Sequence, residues 1–298
     1  MKLLGHYKNG NYQVNIYDDG TKVRVTDDNE FIADFPESMD VKITNKCGMM
    51  CPYCHENSTP DGLHASLVAH GLFAQQWMRE LHPYTEMAIG GGNPLSHPDL
   101  EEFLFLLNRM RVLPNLTVNY FHFVESYDML CHLDQNLLIR GLGISINSDC
   151  DVDYKKIERF PNAVLHLVAG VDNIEFIRSI PKTCKVLFLG YKDFGRGKSY
   201  LIENPKVQEN ILALKEALPT LGFKITSLDN LAIEQLKPEE WLSKEDWEQR
   251  YMGEDGTNTM YIDAVKQEYA VSSTSQKRFK INLLKEAFNH VKEAKNVN

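Results

Sequence analysis

The feature that most constrains this chain is a run of eight residues, Cys47-Gly48-Met49-Met50-Cys51-Pro52-Tyr53-Cys54, with three thiols spaced C-x3-C-x2-C. It follows Met39-Asp40-Val41-Lys42-Ile43, where apolar and polar residues alternate as on a strand. Three thiols on one loop at a strand end converge readily on a single soft metal centre, and cysteine thiolates are the ligands that hold iron–sulfur clusters. No fourth cysteine lies nearby. A four-iron cluster held here leaves one iron without a protein ligand, open to chemistry. Other readings stay open. Zinc takes three thiolates plus a histidine, but His55 directly follows Cys54, a poor spacing for a shared tetrahedral site. A disulfide and inert buried thiols are the remaining alternatives.

The loop resembles the signature of the radical S-adenosylmethionine (radical SAM) enzymes. In that family a C-x3-C-x2-C loop follows the first strand of a partial α/β barrel, and an aromatic residue, here Tyr53, precedes the last cysteine. The resemblance implies a [4Fe-4S] cluster held by Cys47, Cys51 and Cys54, with S-adenosyl-L-methionine (SAM) on the open iron. It implies reductive cleavage of SAM to methionine and a 5′-deoxyadenosyl radical that abstracts hydrogen from a substrate. An oxygen-sensitive protein and a one-electron donor such as flavodoxin or ferredoxin go with that chemistry.

Two further stretches fit the resemblance. Gly90-Gly91-Gly92-Asn93-Pro94 ends a second strand-like run, and glycines there let backbone approach a ligand closely. The family places Gly-Gly-Glu-Pro at this point, against the amino group of SAM. Here Gly91, Gly92, Asn93 and Pro94 stand in those positions, so a charge-assisted contact becomes a neutral one. The alternative is a Gly-rich turn with no ligand. Gly143-Ile144-Ser145-Ile146-Asn147 resembles the fourth-strand segment that touches the SAM ribose and carboxylate, and Ser145 and Asn147 share one face of a strand. Asn119 and His122 are weaker candidates, and His166 reads as a satisfied core histidine. Ligands of such sheets gather at the carboxyl ends of strands, where all three signals fall.

Gly190-Tyr191-Lys192-Asp193-Phe194-Gly195-Arg196-Gly197-Lys198-Ser199 ends like a phosphate-binding loop but has Lys192 where that motif requires glycine. It reads instead as a loop over the barrel mouth, with Lys192, Asp193 or Arg196 meeting substrate or the SAM carboxylate. Asp229 is a similar candidate, and Tyr261 and Asp263 line the same mouth from the tail.

The whole pattern predicts an α/β fold: a partial (βα)6 TIM-like barrel with a short N-terminal β-hairpin and an α+β C-terminal extension. Residues 1–36 form the hairpin appendage, with Tyr12, Val14 and Ile16 alternating before an Asp18-Asp19-Gly20 turn. Residues 37–230 form the core, where strands alternate with helices as in parallel βα units. A helix is expected over Ala69–Leu81, a third strand over Leu116–Phe123, and a loop from Gly190 to Ser199. Residues 231–298 hold acidic helical turns, a hairpin of Met260–Asp263 with Tyr269–Val271, and a final amphipathic helix.

Forty-one acidic residues against 32 lysines and arginines give a net charge of −9, which disfavours duplex nucleic acid as a partner. No secretory signal and no membrane-length apolar run is visible, so a cytoplasmic protein without a membrane partner is expected. Of six cysteines none follows Cys184, so the tail offers no ligands for an auxiliary cysteine-bound cluster. The substrates that remain are a small molecule, a nucleoside, or a peptide or protein, the last including activation of a glycyl-radical partner. The rival of another class is a non-catalytic iron–sulfur or zinc protein that binds a partner through its acidic tail.

Overall fold

The computed structural model describes residues 2–295. Its first three strands, Leu3–Asn9 (β1), Tyr12–Tyr17 (β2) and Lys22–Val25 (β3), make an antiparallel sheet in that order. The predicted hairpin is β2 with β3. β1 escaped the reading because its inward residues are Gly5, Tyr7 and Asn9, not an aliphatic stripe. This sheet is fastened to the rest at Glu37, which is fully buried. Glu37 accepts from Arg24 Nε at 2.8 Å and Nη2 at 3.1 Å, and its carboxylate lies 3.3 Å from the Lys22 ammonium.

The strand after Glu37 is Ser38–Thr44 (β4), whose Met39, Val41 and Ile43 are buried. The segment expected as a helix over Ala69–Leu81 is instead a tight hairpin, Val68–Ala69 (β5) with Leu72–Phe73 (β6), followed by a 3-10 turn over Gln76–Glu80. His70 and Gly71 both take positive φ at the hairpin tip, which breaks the helical period. Trp77 and Met78 still bury as the apolar spacing implied.

Strand and helix then alternate. Glu86–Gly91 (β7) leads to Leu100–Arg109 (α1), and Leu113–Asn119 (β8) to Tyr120–Glu125 (α2) and Tyr127–Gln135 (α3). The expected third strand is thus cut short at Asn119. Its side chain accepts from Phe121 N at 2.9 Å and caps α2, so Tyr120 to Phe123 are helical. Gly141–Ser145 (β9), Tyr154–Glu158 (α4), Ala163–Val168 (β10), Ile174–Ser179 (α5) and Lys185–Leu189 (β11) follow. The loop expected up to Ser199 winds into a helix, Arg196–Glu203 (α6), ahead of Lys206–Ala217 (α7) and Ile225–Leu228 (β12).

The tail holds Asn230–Leu236 (α8), Lys244–Arg250 (α9), Thr259–Asp263 (β13), Glu268–Ala270 (β14), Phe279–Lys280 (β15) and Leu284–Lys295 (α10). The hairpin of β13 and β14 forms as expected. β13 also pairs in parallel with β4, Tyr261 opposite Asp40. One ten-stranded sheet results, in the order β12-β11-β10-β9-β8-β7-β4-β13-β14-β15. From β12 through β13 the neighbours run parallel, so the carboxyl ends of the strands collect on one rim. Among the described residues, no helix is long and apolar enough to cross a membrane.

Candidate active site

The cysteine loop leaves β4 and is stitched to the end of β7. Gly92 N donates to Thr44 O at 2.7 Å, and Asn93 N to Lys46 O at 2.7 Å. These bonds demand glycine. A Cβ on Gly92 would lie 2.3 Å from Lys46 O. One on Gly91, whose φ is +111°, would lie 2.4 Å from Thr44 O. Within the loop, Cys54 N closes a turn on Cys51 O at 3.1 Å. The start of α6 braces it from the other side. Arg196 N donates to Cys54 O at 3.1 Å, its Nε to Cys51 O at 2.9 Å, and its Nη1 to Ser58 O at 3.0 Å.

All six cysteines are free thiols. Cys47, Cys51 and Cys54 line one wall of a cavity of about 300 Å³. Burial, with the neighbouring thiols of Cys54 and Cys47, pushes the Cys51 thiol up to about 11. A proton is hard to remove from the Cys51 thiol without a cation beside it, and a metal centre supplies that charge. His122, on α2, brings Nε2 to 3.6 Å from Cys47 Sγ. Among the described residues, no three His, Cys, Asp or Glu side chains are gathered to hold a single metal ion. The thiols that ring this cavity suit a cluster, in which each thiolate binds its own iron.

Gly90, Gly91, Gly92, Asn119, Ser145 and Tyr53 line the same cavity as the cysteines. Asn93 does not. Its side chain accepts from Leu95 N at 3.2 Å and caps a short turn, and Pro94 is buried behind it. Asn147 acts through Tyr53: its Nδ2 donates to the phenol oxygen at 3.1 Å. Lys192 reaches the cavity, where Nζ donates to Ser273 Oγ at 2.9 Å and lies 3.4 Å from His55 Nε2. Asp193 lies outside the lining. Arg196 is engaged with the cysteine loop, and Asp229 is engaged as a cap, accepting from Gly190 N at 2.9 Å and Ala232 N at 2.7 Å.

Tyr261 lines the mouth, whereas Asp263 joins a buried ion network. Lys42 Nζ lies 2.9 Å from Asp263 and 2.7 Å from Glu56, and His55 Nε2 lies 3.4 Å from Glu56. Burial pushes the Glu56 carboxyl up, but His55 and Lys42 outweigh it and hold the group below the usual carboxylate range.

Sequence reasoning passed over Asp40 and misread His166. Asp40 points inward from the middle of β4 and lines the cavity. Removal from bulk water pushes its carboxyl up to about 6, with Lys192 opposing and Asp255 and Asp229 reinforcing. His166 also lines the cavity, and its Nδ1 has no hydrogen-bond partner. Burial holds the ring down to about 4, so it is neutral at pH 7. Both fall on the period-two inward face of a strand, which is the signal that could have found them.

The sequence matches no family model and no curated protein. Solved structures do superpose. The crystal structure of Streptococcus suis SuiB bound to S-adenosylmethionine matches with a TM-score of 0.53 at 12% identity, covering 88% of this chain and 66% of that one. SuiB bound to precursor peptide SuiA matches with a TM-score of 0.50 at 12% identity, covering 88% and 65%. A third SuiB structure gives a TM-score of 0.50 at 12% identity, covering 88% and 69%. The chain therefore spans about two thirds of the length of the SuiB chains. In fold, with its parallel βα sheet and its cysteine loop at the end of the first strand of that sheet, the chain resembles the partial barrels of radical SAM enzymes.

Proposed function

We propose that this protein is a radical SAM enzyme, with Cys47, Cys51 and Cys54 as the ligands of a single [4Fe-4S] cluster. The observation that carries the reading is the shared wall: three free thiols and the Gly90–Gly92 backbone face one cavity at the carboxyl rim of a parallel sheet. When bound, the cluster supplies the electron that cleaves SAM reductively.

The chain's own part is positioning. Gly91 and Gly92 hold bare backbone beside the thiols, where the methionine end of SAM would lie. Ser145 and Asn119 present polar groups to the same space. Tyr53, fixed by Asn147, walls off one side. Asn93 in place of an acid leaves the amino group of SAM to backbone carbonyls, because its own side chain is spent on a cap.

SuiB is known bound to a precursor peptide. That favours, as the finer reading, a single-cluster enzyme that modifies a peptide or protein.

The test is anaerobic reconstitution with iron and sulfide, reduction with dithionite, addition of SAM, and assay of 5′-deoxyadenosine. About four irons and four sulfides per chain are expected, with 5′-deoxyadenosine formed by the parent chain and abolished in Cys51→Ala. One zinc per chain and no SAM binding would instead establish the non-catalytic rival.

A further inference from the structure

The cavity runs from the cysteines down to a charged residue that has no use in the fold. Asp40 sits on β4, four residues below Thr44. Its side chain is exposed to the cavity and makes no hydrogen bond or ion pair with any described residue. A carboxylate that the fold does not use, facing a cavity, is free to form a charge-assisted bond with a cationic group from outside.

The groups around it do not neutralise it. Lys42 lies on the same face of β4, but its ammonium is taken by Glu56 and Asp263. Lys192 donates to Ser273 Oγ at 2.9 Å. The two other carboxylates within electrostatic reach are already satisfied: Asp229 caps α8, and Asp255 accepts from Asn230 Nδ2 at 2.7 Å. Lys192 is the one cation acting on Asp40 and makes no ion pair with it, and of the three carboxylates Asp40 alone makes no hydrogen bond among the described residues. His166, across the lumen, is neutral and has an unpartnered Nδ1, so it too offers a hydrogen bond and no charge. Gly143 leaves the room for that ring, since a Cβ there would meet it at 2.3 Å.

We propose that Asp40 is the specificity anchor for a protonated primary amine of the substrate. His166 lines the same cavity with its unpartnered Nδ1. A neutral or anionic group would displace water from the Asp40 carboxylate without giving it a partner, so the site disfavours it. Two sources carry this chemistry, a lysyl side chain in a peptide and a free alkylamine. The proposal rests on the radical reading only for the fate of the substrate after it has bound.

Binding is measured by calorimetry on the full-length protein, with three probes: the capped peptide acetyl-Gly-Lys-Gly-amide, the same peptide with norleucine for lysine, and n-butylamine. The lysine peptide is expected to bind. The norleucine peptide, and the lysine peptide on Asp40→Asn, are expected to bind about tenfold or more weakly, as loss of a charge-assisted hydrogen bond predicts. Asp40→Glu keeps the charge and is expected to retain binding. A peptide that binds far more tightly than n-butylamine identifies a peptide source, and equal affinities identify a small amine. Equal binding of lysine and norleucine peptides, no loss in Asp40→Asn, or no binding of either amine overturns the proposal. SAM titration on the same reconstituted protein is scored separately. Its failure removes the radical reading and leaves the amine result standing.

Discussion

The guanidinium of Arg196 holds the carbonyl of Cys51, donating through Nε at 2.9 Å, while Nη1 holds Ser58 O at 3.0 Å. One side chain thus spans both ends of the segment that carries Cys51 and Cys54. The planar fork of arginine suits this double task, and the point charge of lysine does not. Hydrogen bonds from a charged donor contribute about 1.5–3 kcal/mol each. Arg196→Ala removes two such bonds and is expected to lower the stability of the apo chain by about 3–6 kcal/mol by the same figure, read from urea unfolding. Arg196→Lys should recover only part of that loss. After reconstitution and desalting, the alanine variant should also retain less iron than the parent. Unchanged stability together with full iron retention would show that the brace does not matter.

Gly90, Gly91 and Gly92 are adjacent in sequence but not equivalent. A Cβ on Gly90 meets nothing closer than Thr117 Cβ at 3.9 Å, whereas one on Gly91 or Gly92 would strike backbone oxygen. Gly91→Ala also puts an alanine at a φ of +111°, a strain of about 1–3 kcal/mol before the clash is counted. Gly92→Ala must push the end of β7 off the cysteine loop. Both are expected to lower Tm and weaken SAM binding, while Gly90→Ala should fold with the Tm of the parent. Calorimetric scans of the three variants decide this, and equal Tm values across the set would show that the rim tolerates a side chain.

These glycines show what the sequence could reveal. Strand positions, the cysteine loop and the Gly-rich rim were legible because each depends on local rules: alternation of apolar residues, spacing of thiols, and the absence of a Cβ. The placement of Asn93 and Arg196 was not, because each looks like a ligand group in sequence but spends its hydrogen bonds on nearby backbone. Asp40 and His166 were hidden for the opposite reason. An isolated polar residue on a strand reads as solvent-facing or core, and only the assembly of the whole sheet turns that face toward a cavity. The pairing of β13 with β4 joins residues more than two hundred positions apart, which no local period encodes. The helix expected near Trp77 failed because its apolar spacing is shared by a hairpin and a 3-10 turn that bury the same side chains.

Glu37 gives a test of how the N-terminal sheet is attached. Its buried carboxylate faces Arg24 and Lys22 from β3 and the Tyr12 hydroxyl from β2. Burial pushes the group up, but Arg24 and Lys22 prevail and hold it below its ordinary value. A carboxyl lowered in this way contributes stability above its unfolded value, and that contribution fades as pH falls through the folded one. Glu37→Gln leaves Arg24 without its carboxylate, while Lys22 keeps Glu86 at 2.6 Å, and is expected to cost about 3–5 kcal/mol at pH 7. The deficit should shrink toward acid pH, where the parent also loses its charge. Urea titrations of both proteins at pH 7 and pH 4 measure it. A deficit that does not depend on pH would assign the effect to packing.

Asp40 predicts the reverse dependence, independent of any ligand. Its carboxyl is held up to about 6, chiefly by removal from bulk water, against an ordinary value of 3.8. Below about pH 4 it is protonated in both folded and unfolded chains and has no effect. Between these values the folded chain keeps a proton that the unfolded chain has released, so this group makes stability fall as pH rises. Above 6 the penalty is complete. Asp40→Asn removes it while keeping the shape of the side chain, so the variant is expected to melt above the parent at pH 7.5, with the gain shrinking as pH falls below 6 and lost only below about 3.8. The residue would then be one that lowers the stability of the empty barrel, as a group placed for a partner outside the fold does. A variant that melts below the parent at pH 7.5 would mean that the carboxylate is already paired within the fold, and the case for an incoming cation would go with it.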